Sequence, residues 1–405
     1  MKPLLRLFFL SIFLLVSACG TIEVSILGTP TSDVGTTQAN TPIQPTTAAT
    51  LQPAHIENAG ELGMVYFWMS KPAGDDPSVR IGSIARLPGS CVAGLSTCPP
   101  PEELETPFQI YDVDWQAISW SPDGSLGVLP VAMEEKAYPT VVYLYNPQNE
   151  TWKELDTFNF ADGVTWSPDG EWIAMRVQDG LGHIDIYAIR PDGSGLRNLS
   201  AGLPEIGEPI YLSIYGWLDG KALIGTSEWN QPVVPQLVDP ATGRVQRTLE
   251  FDANLGGIFP GPDGALAVSL AMPTNRQTLQ LISVLDEAPD ILATFSNGRI
   301  SFVTWSHDGQ KIAFSVMETD QYAMPGQHRA FVINRDGSGL TEVYPAEELG
   351  LIMGLSFSPD DRHLLIYEAG QSKMVTVALD TLEQTVIYPR QSNTDVFFLH
   401  PSWQP

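Results

Sequence analysis

Three cysteines, six histidines and a surplus of carboxylates are the residues in this sequence able to do chemistry. Their spacing limits what that chemistry can be. His55, His183, His307, His328, His363 and His400 stand singly, and no HExxH, phosphate-cradling glycine loop or GxSxG accompanies them. His183 beside Asp185 on one strand reads as surface, because a base needs an orienting partner and a nucleophile converging on it. Asp112 and Asp114 ahead of Trp115 form an acidic pair of the kind a glycosidase needs. A solvated connection between sheets accounts for them as well. Cys91 and Cys98, in the run GSCVAGLSTCPPP, lack a nearby His or acid cluster and so make a poor metal site. No catalytic residue, metal or cofactor is expected from this inventory.

The compartment decides the chemistry of the cysteines. The chain opens MKPLLRLFFLSIFLLVSACG: Lys2 and Arg6 form a basic start, followed by an apolar run from Leu7 to Val16 that is too short to span a bilayer. Residues 1–18 therefore read as a secretory signal. Export exposes Cys91 and Cys98 to an oxidising compartment, where a disulfide is expected. The small loop it closes is worth about 2.5 kcal/mol in the chain-entropy model. Cleavage would remove two of the 21 basic residues and none of the 47 acidic ones, so the exported chain is strongly acidic. Phosphate backbones need clustered Lys and Arg, which excludes nucleic acid as a partner. The same charge keeps the domain soluble, and a monomer is expected.

Elements that could position a site come next. Residues 19–58 are dense in Thr, Pro, Ala and Gln and nearly free of charge, the composition of a flexible linker. Beyond it, over residues 59–405, one motif recurs. ISWSPDG at 118–124 returns as VTWSPDG at 164–170 and VTWSHDG at 303–309, with looser copies YGWLDG at 215–220, FPGPDG at 259–264 and LSFSPDD at 355–361. A spacing of about 40 to 50 residues is the period of a four-stranded propeller blade. The Trp ends a short apolar strand and is large enough to wedge between neighbouring sheets. Pro presets φ, Asp bonds its own backbone and Gly supplies positive φ, so the chain reverses into a second strand. A further hairpin follows in most copies, as in IDIYAIRPDGSGLRNL at 184–199 and RAFVINRDGSGLTEVY at 329–344. The fold class is all-β: a single β-propeller of four-stranded blades.

The chain stops at SWQP (402–405), the start of one more motif without its following strands. Met64–Met69, Val79–Leu87 and Phe108–Tyr111 have the character needed to complete that blade and close the ring. Six internal motifs and the shared one make seven blades; the weak copies at Trp217 and Pro260 leave six or eight open.

These motifs resemble the TolB-like or WD40-like (PD40) propeller family, over about residues 60–405. The resemblance implies a propeller and leaves function open, since that fold serves both assembly factors and peptidases. Val16, Ser17, Ala18 and Cys19 resemble the lipobox of bacterial lipoproteins, which implies a lipidated Cys19 holding the chain to a bacterial cell membrane on the side away from the cytoplasm. The expected binding face is the one opposite the WSPDG turns, where the longer connections would carry Trp229, Met272, Met317, Tyr322 and Met324 with Asp112 and Asp114. The function read from the sequence is a non-catalytic scaffold for a protein, peptide or saccharide. A propeller hydrolase or lyase using acids on that face is the alternative.

Overall fold

The computed structural model describes residues 62–73, 76–109, 117–133, 139–203, 211–227, 233–249, 254–262, 264–271, 276–283, 290–296, 298–319, 325–345, 350–369, 373–388 and 397–404, together with Val24 and Ser25. Cys19, Asp112, Asp114, Trp229, Met272, Tyr322 and Met324 lie outside them.

Each repeat forms one antiparallel sheet whose strands follow chain order from the inside outward. Seven such blades stand around the axis. Blade 2 is Ser119–Trp120, Gly127–Ala132, Thr140–Asn146 and Thr151–Phe158; blade 3 is Phe160–Trp166, Ile173–Gln178, Ile184–Ile189 and Arg197–Asn198. Blade 4 starts at Tyr211–Leu218, blade 5 at Asn254–Pro260, blade 6 at Gly298–Trp305 and blade 7 at Ile352–Phe357. Both weak motifs thus open a blade of their own. Blade 1 is shared: Phe397–Trp403 is its inner strand and pairs with Met64–Ala73, followed by Asp76–Pro88 and Glu102–Glu103. The ring closes as expected.

Its outer strand departs from expectation. Phe108 lies in a bend and not in a strand, and its ring centre lies 4.5 Å from that of Tyr143, tilted, and 5.2 Å from that of Trp152, edge to face, both in blade 2. Arg86 explains the choice, since it sits across from Glu102 in the ladder and donates to both oxygens of that carboxylate at 2.8 and 2.9 Å. A charge-assisted, two-pronged bond fixes the acidic dipeptide as the edge, and the aromatic packs between blades. Val24 and Ser25 add a fifth strand to blade 5, pairing with Phe295 and Thr294 at its outer edge.

Between blades, packing is apolar and each seam has its own cluster. Ala174, Ile186 and Ala188 of blade 3 face Leu212, Trp217 and Ile224 of blade 4; Phe295 of blade 5 meets Phe314 and Phe331 of blade 6. The second strands are buried on both faces, with all six residues of Gly127–Ala132 and of His363–Glu368 enclosed.

The tryptophans do more than fill space. Trp166 Nε1 donates to the Ser119 carbonyl of blade 2 at 2.9 Å, Trp217 to Thr165 of blade 3 at 3.4 Å, and Trp305 to Phe259 of blade 5 at 3.0 Å. Each bonds the residue just before its counterpart in the preceding blade. Trp120 reaches the Ser402 hydroxyl at 3.2 Å, and Trp403 donates to the Leu62 carbonyl at 2.5 Å, tying the last strand to the first described residue of the domain. Blades 5 and 7 carry Pro260 and Phe357 at this place and make no such bond.

Trp403→Phe, which removes the indole N–H and part of the ring volume packed at the closure, is expected to cost about 2 kcal/mol. Trp403→Ala, which also opens a cavity at a position 4% exposed, should cost about 3 to 5 kcal/mol in denaturant unfolding.

Candidate functional site

Because strands alternate in direction, the motif turns and the outer hairpin turns share one face of the ring, and the connections between second and third strands share the other. The motif turns of blades 2, 3, 6 and 7 are built alike. In blade 2, the buried Ser121 hydroxyl donates to Asp123 Oδ1 at 2.6 Å and accepts the Leu126 N–H at 3.0 Å, while Asp123 Oδ1 also accepts the Ser125 N–H at 3.0 Å. Ser167 and Asp169, Ser306 and Asp308, and Ser358 and Asp360 repeat the arrangement at 2.5, 2.7 and 2.5 Å. The serine makes the turn self-contained, a role the sequence reading did not assign to it. Its signal was present as the invariant first letter of the SPDG, SHDG and SPDD turns.

These bonds lower the pKa of Asp123, Asp308 and Asp360. The Ser121 hydroxyl and the Ser125 amide hold Asp123 below the usual carboxylate range, and Ser306 and the Gln310 amide do the same for Asp308. For Asp360, burial works upward, but the His363 imidazole, the Ser358 hydroxyl and the Arg362 amide outweigh it and bring the group down to about 2. The His363 Nδ1 stands 3.8 Å away, an ion-pair distance too long for a hydrogen bond.

One seam is modified. Blade 6 has His307 where blades 2 and 3 have proline, and blade 7 has Asp361 where they have glycine. The Asp361 carboxylate accepts the His307 N–H at 2.8 Å and the Asp308 N–H at 2.9 Å, with His307 Nδ1 also at 2.8 Å. Asp361 adopts φ 56°, a region its side chain tolerates when it bonds locally. A proline could not offer that N–H.

Between blades 2 and 3 the same face opens into a cavity of about 420 Å³. Leu126, Trp166 and the rings of Pro122, Pro168 and Pro191 give it apolar walls, and Asp123 and Asp169 supply two carboxylates. At its outer side Lys153 donates to the Asp192 carbonyl at 3.1 Å, bridging the two blades. No group of three His, Cys, Asp or Glu able to hold a metal occurs among the described residues.

The structure distributes the sequence candidates widely. Met317 is half-buried at the end of a strand, across the ladder from His328. That histidine is 3% exposed with neither ring nitrogen hydrogen-bonded, and burial pushes its pKa down. His183 bonds Asp179 at 3.0 Å in a tight exposed loop, and Asp185 instead accepts from Ser200 at 2.6 Å. Cys91 and Cys98 form the expected disulfide, with Cα atoms 4.8 Å apart, and pack against Leu62 and Trp403 at the ring closure. No candidate with described contacts joins the cavity. Pro191, Trp166 and the two turn aspartates were missed as a site because they meet only when two blades are side by side.

No protein-family model matches the sequence, and no curated protein matches it. Solved structures share the fold. The β-propeller domain of the Trilobed protease from Pyrococcus furiosus superposes with a TM-score of 0.56 at 10% identity, over 82% of this chain and 96% of that one. A prolyl endopeptidase matches at 0.56 and 11%, over 79% of this chain and 49% of its own. A putative TolB from Agrobacterium tumefaciens matches at 0.49 and 15%, over 84% and 99%. The Pyrococcus domain is described as having an open velcro topology, whereas here the terminal strands pair and the ring is closed.

A carboxylate with a lowered folded pKa stabilises above its unfolded value and loses that contribution as pH falls through the folded one. Asp360→Asn is therefore expected to lower the thermal midpoint at pH 6. The gap to the parent should close as pH falls from about 4 towards 2, as measured by scanning calorimetry.

Proposed function

We propose that this chain is a membrane-anchored, extracytoplasmic binding scaffold without catalytic activity, holding a closed propeller away from the lipid surface through Cys19 and the segment that follows it. The observation that carries the reading is how the motif turns bind three carboxylates of the turn face, Asp123, Asp308 and Asp360. A general acid needs a pKa raised towards neutrality, usually by burial without compensating donors. Asp123, Asp308 and Asp360 are all driven the other way by the turns that hold them. Such groups stay charged and fixed, which suits recognition. The ring closure and the Cys91–Cys98 staple support the same reading, since a rigid platform loses little entropy when it binds. Lipid anchoring rests on the sequence of the first nineteen residues, and two or more acyl chains would make it stable.

The parent chain is expected in the membrane fraction with a diacylated Cys19 peptide in its mass spectrum, and Cys19→Ser in the soluble fraction. An unmodified Cys19 overturns the anchor. Turnover of peptide or glycan substrates by the purified chain overturns the non-catalytic assignment.

A further inference from the structure

The seven repeats act as internal controls for one another, and one comparison stands out. The outer hairpins of blades 3 and 6 align on the shared run DGSGL, at 192–196 and 336–340, which sets Pro191 of blade 3 against Arg335 of blade 6. In the same register Trp166 matches Trp305, and Gly170 matches Gly309. Arg335 lies with its guanidinium carbon 5.9 Å from the centre of the Trp305 ring. Its Nη1 is 3.9 Å from where a Cβ on Gly309 would sit, beside the Pro262 ring of blade 5. At the seam of blades 5 and 6 the chain's own arginine thus lies over the motif tryptophan, next to the turn glycine and the preceding blade's proline.

At the seam of blades 2 and 3 the same frame is present without the arginine. Trp166, Gly170, Pro122 and Pro191 line the cavity, and the proline has no side chain long enough to reach the tryptophan as Arg335 reaches Trp305. The gap is also looser, with the Pro122 ring 3.8 Å from the Cβ position of Gly170, against 3.1 Å for Pro262 and Gly309. Asp123 and Asp169 border the space, each committing one oxygen to its own turn. A second example on this face shows the same preference: Arg190 stacks its guanidinium 4.5 Å from the Trp172 ring.

We propose that the cavity between blades 2 and 3 receives an arginine side chain of a protein partner, its guanidinium against the exposed edge of the largely buried Trp166 ring and paired with Asp123 and Asp169. The site rests on the reading of the propeller as a binding scaffold and specifies what it recognises. Arginine fits better than lysine because a planar guanidinium can lie against the indole edge and still direct N–H groups in its plane to two carboxylates. The aliphatic stem would lie along Pro122, Pro168 and Leu126.

Calorimetric titration of the full chain in detergent solution with the capped tripeptide acetyl-Gly-Arg-Gly-amide tests this. Binding is expected, with the Lys tripeptide weaker and the neutral citrulline tripeptide not binding. Asp123→Asn and Asp169→Asn, which keep an oxygen for the turn, should each weaken the Arg peptide by about tenfold. Pro191→Arg should supply the guanidinium from within, abolishing peptide binding and raising the thermal midpoint, while Pro191→Ala should do neither. Absence of binding, equal binding of the citrulline peptide, or indifference to Pro191→Arg in a folded variant overturns the site. Binding of free arginine but not of the capped peptide overturns the partner side chain in favour of a small metabolite. Each of these outcomes leaves the lipid anchor untouched, because the titration does not depend on it.

Discussion

A propeller has no core of its own at the centre; each sheet is stable only because both of its faces are covered by neighbours. The constraint on which everything else depends is therefore closure, the meeting of the last strand with the first. Here Phe397–Trp403 pairs along Met64–Ala73, Trp403 bonds the Leu62 carbonyl, and the Cys91–Cys98 staple packs on the same cluster as Leu62, Leu87 and Trp403. Three independent devices converge on one seam. That concentration is reasonable physically, because closing a ring of more than three hundred residues brings distant parts of the chain together and must recover the entropy this costs. The remaining seams join sequence neighbours and rely on apolar packing, with an indole bond where the incoming blade carries the motif tryptophan and the Asp361 carboxylate where blade 7 lacks it.

Much of this architecture was legible in the sequence because the turn is a local object. Ser, Pro, Asp and Gly close it with bonds spanning two to five residues, so the same letters recur wherever the same turn does. One weak copy, that of blade 5, is weak for a reason now visible. Blade 5 has Gly261 in place of serine because the Trp305 ring of the next blade lies 2.9 to 3.1 Å from where a Cβ would be. There the seam dictates the residue and the turn motif loses a letter. The outer strand of blade 1 was misplaced for a similar reason. An aromatic run suggests a strand, yet Phe108 is used between blades, and Arg86 recruits an acidic pair that looks like loop.

The cavity was not legible in this way. Its walls come from turns some 45 residues apart, and nothing local distinguishes a proline that lines an open space from one that packs shut. Only the comparison of equivalent seams separates them, since the repeat sets what each position should be and the departures show where a blade has been put to another use.

Those departures share a physical character. Gly163, at φ 61°, forms the bulge of the inner strand of blade 3, and blade 6 places Phe302 at the matching position with φ 46° and 38% of its surface exposed. A left-handed backbone costs an ordinary side chain about 1 to 2 kcal/mol, and exposing an aromatic ring forfeits the burial that would offset it. Asp361 accepts the same backbone strain but recovers it through the two amides of the neighbouring turn. The repeat tolerates such positions because each blade is held from both sides. A local loss in one sheet is carried by the packing of its neighbours, and the scaffold can vary one seam at a time without reopening the ring.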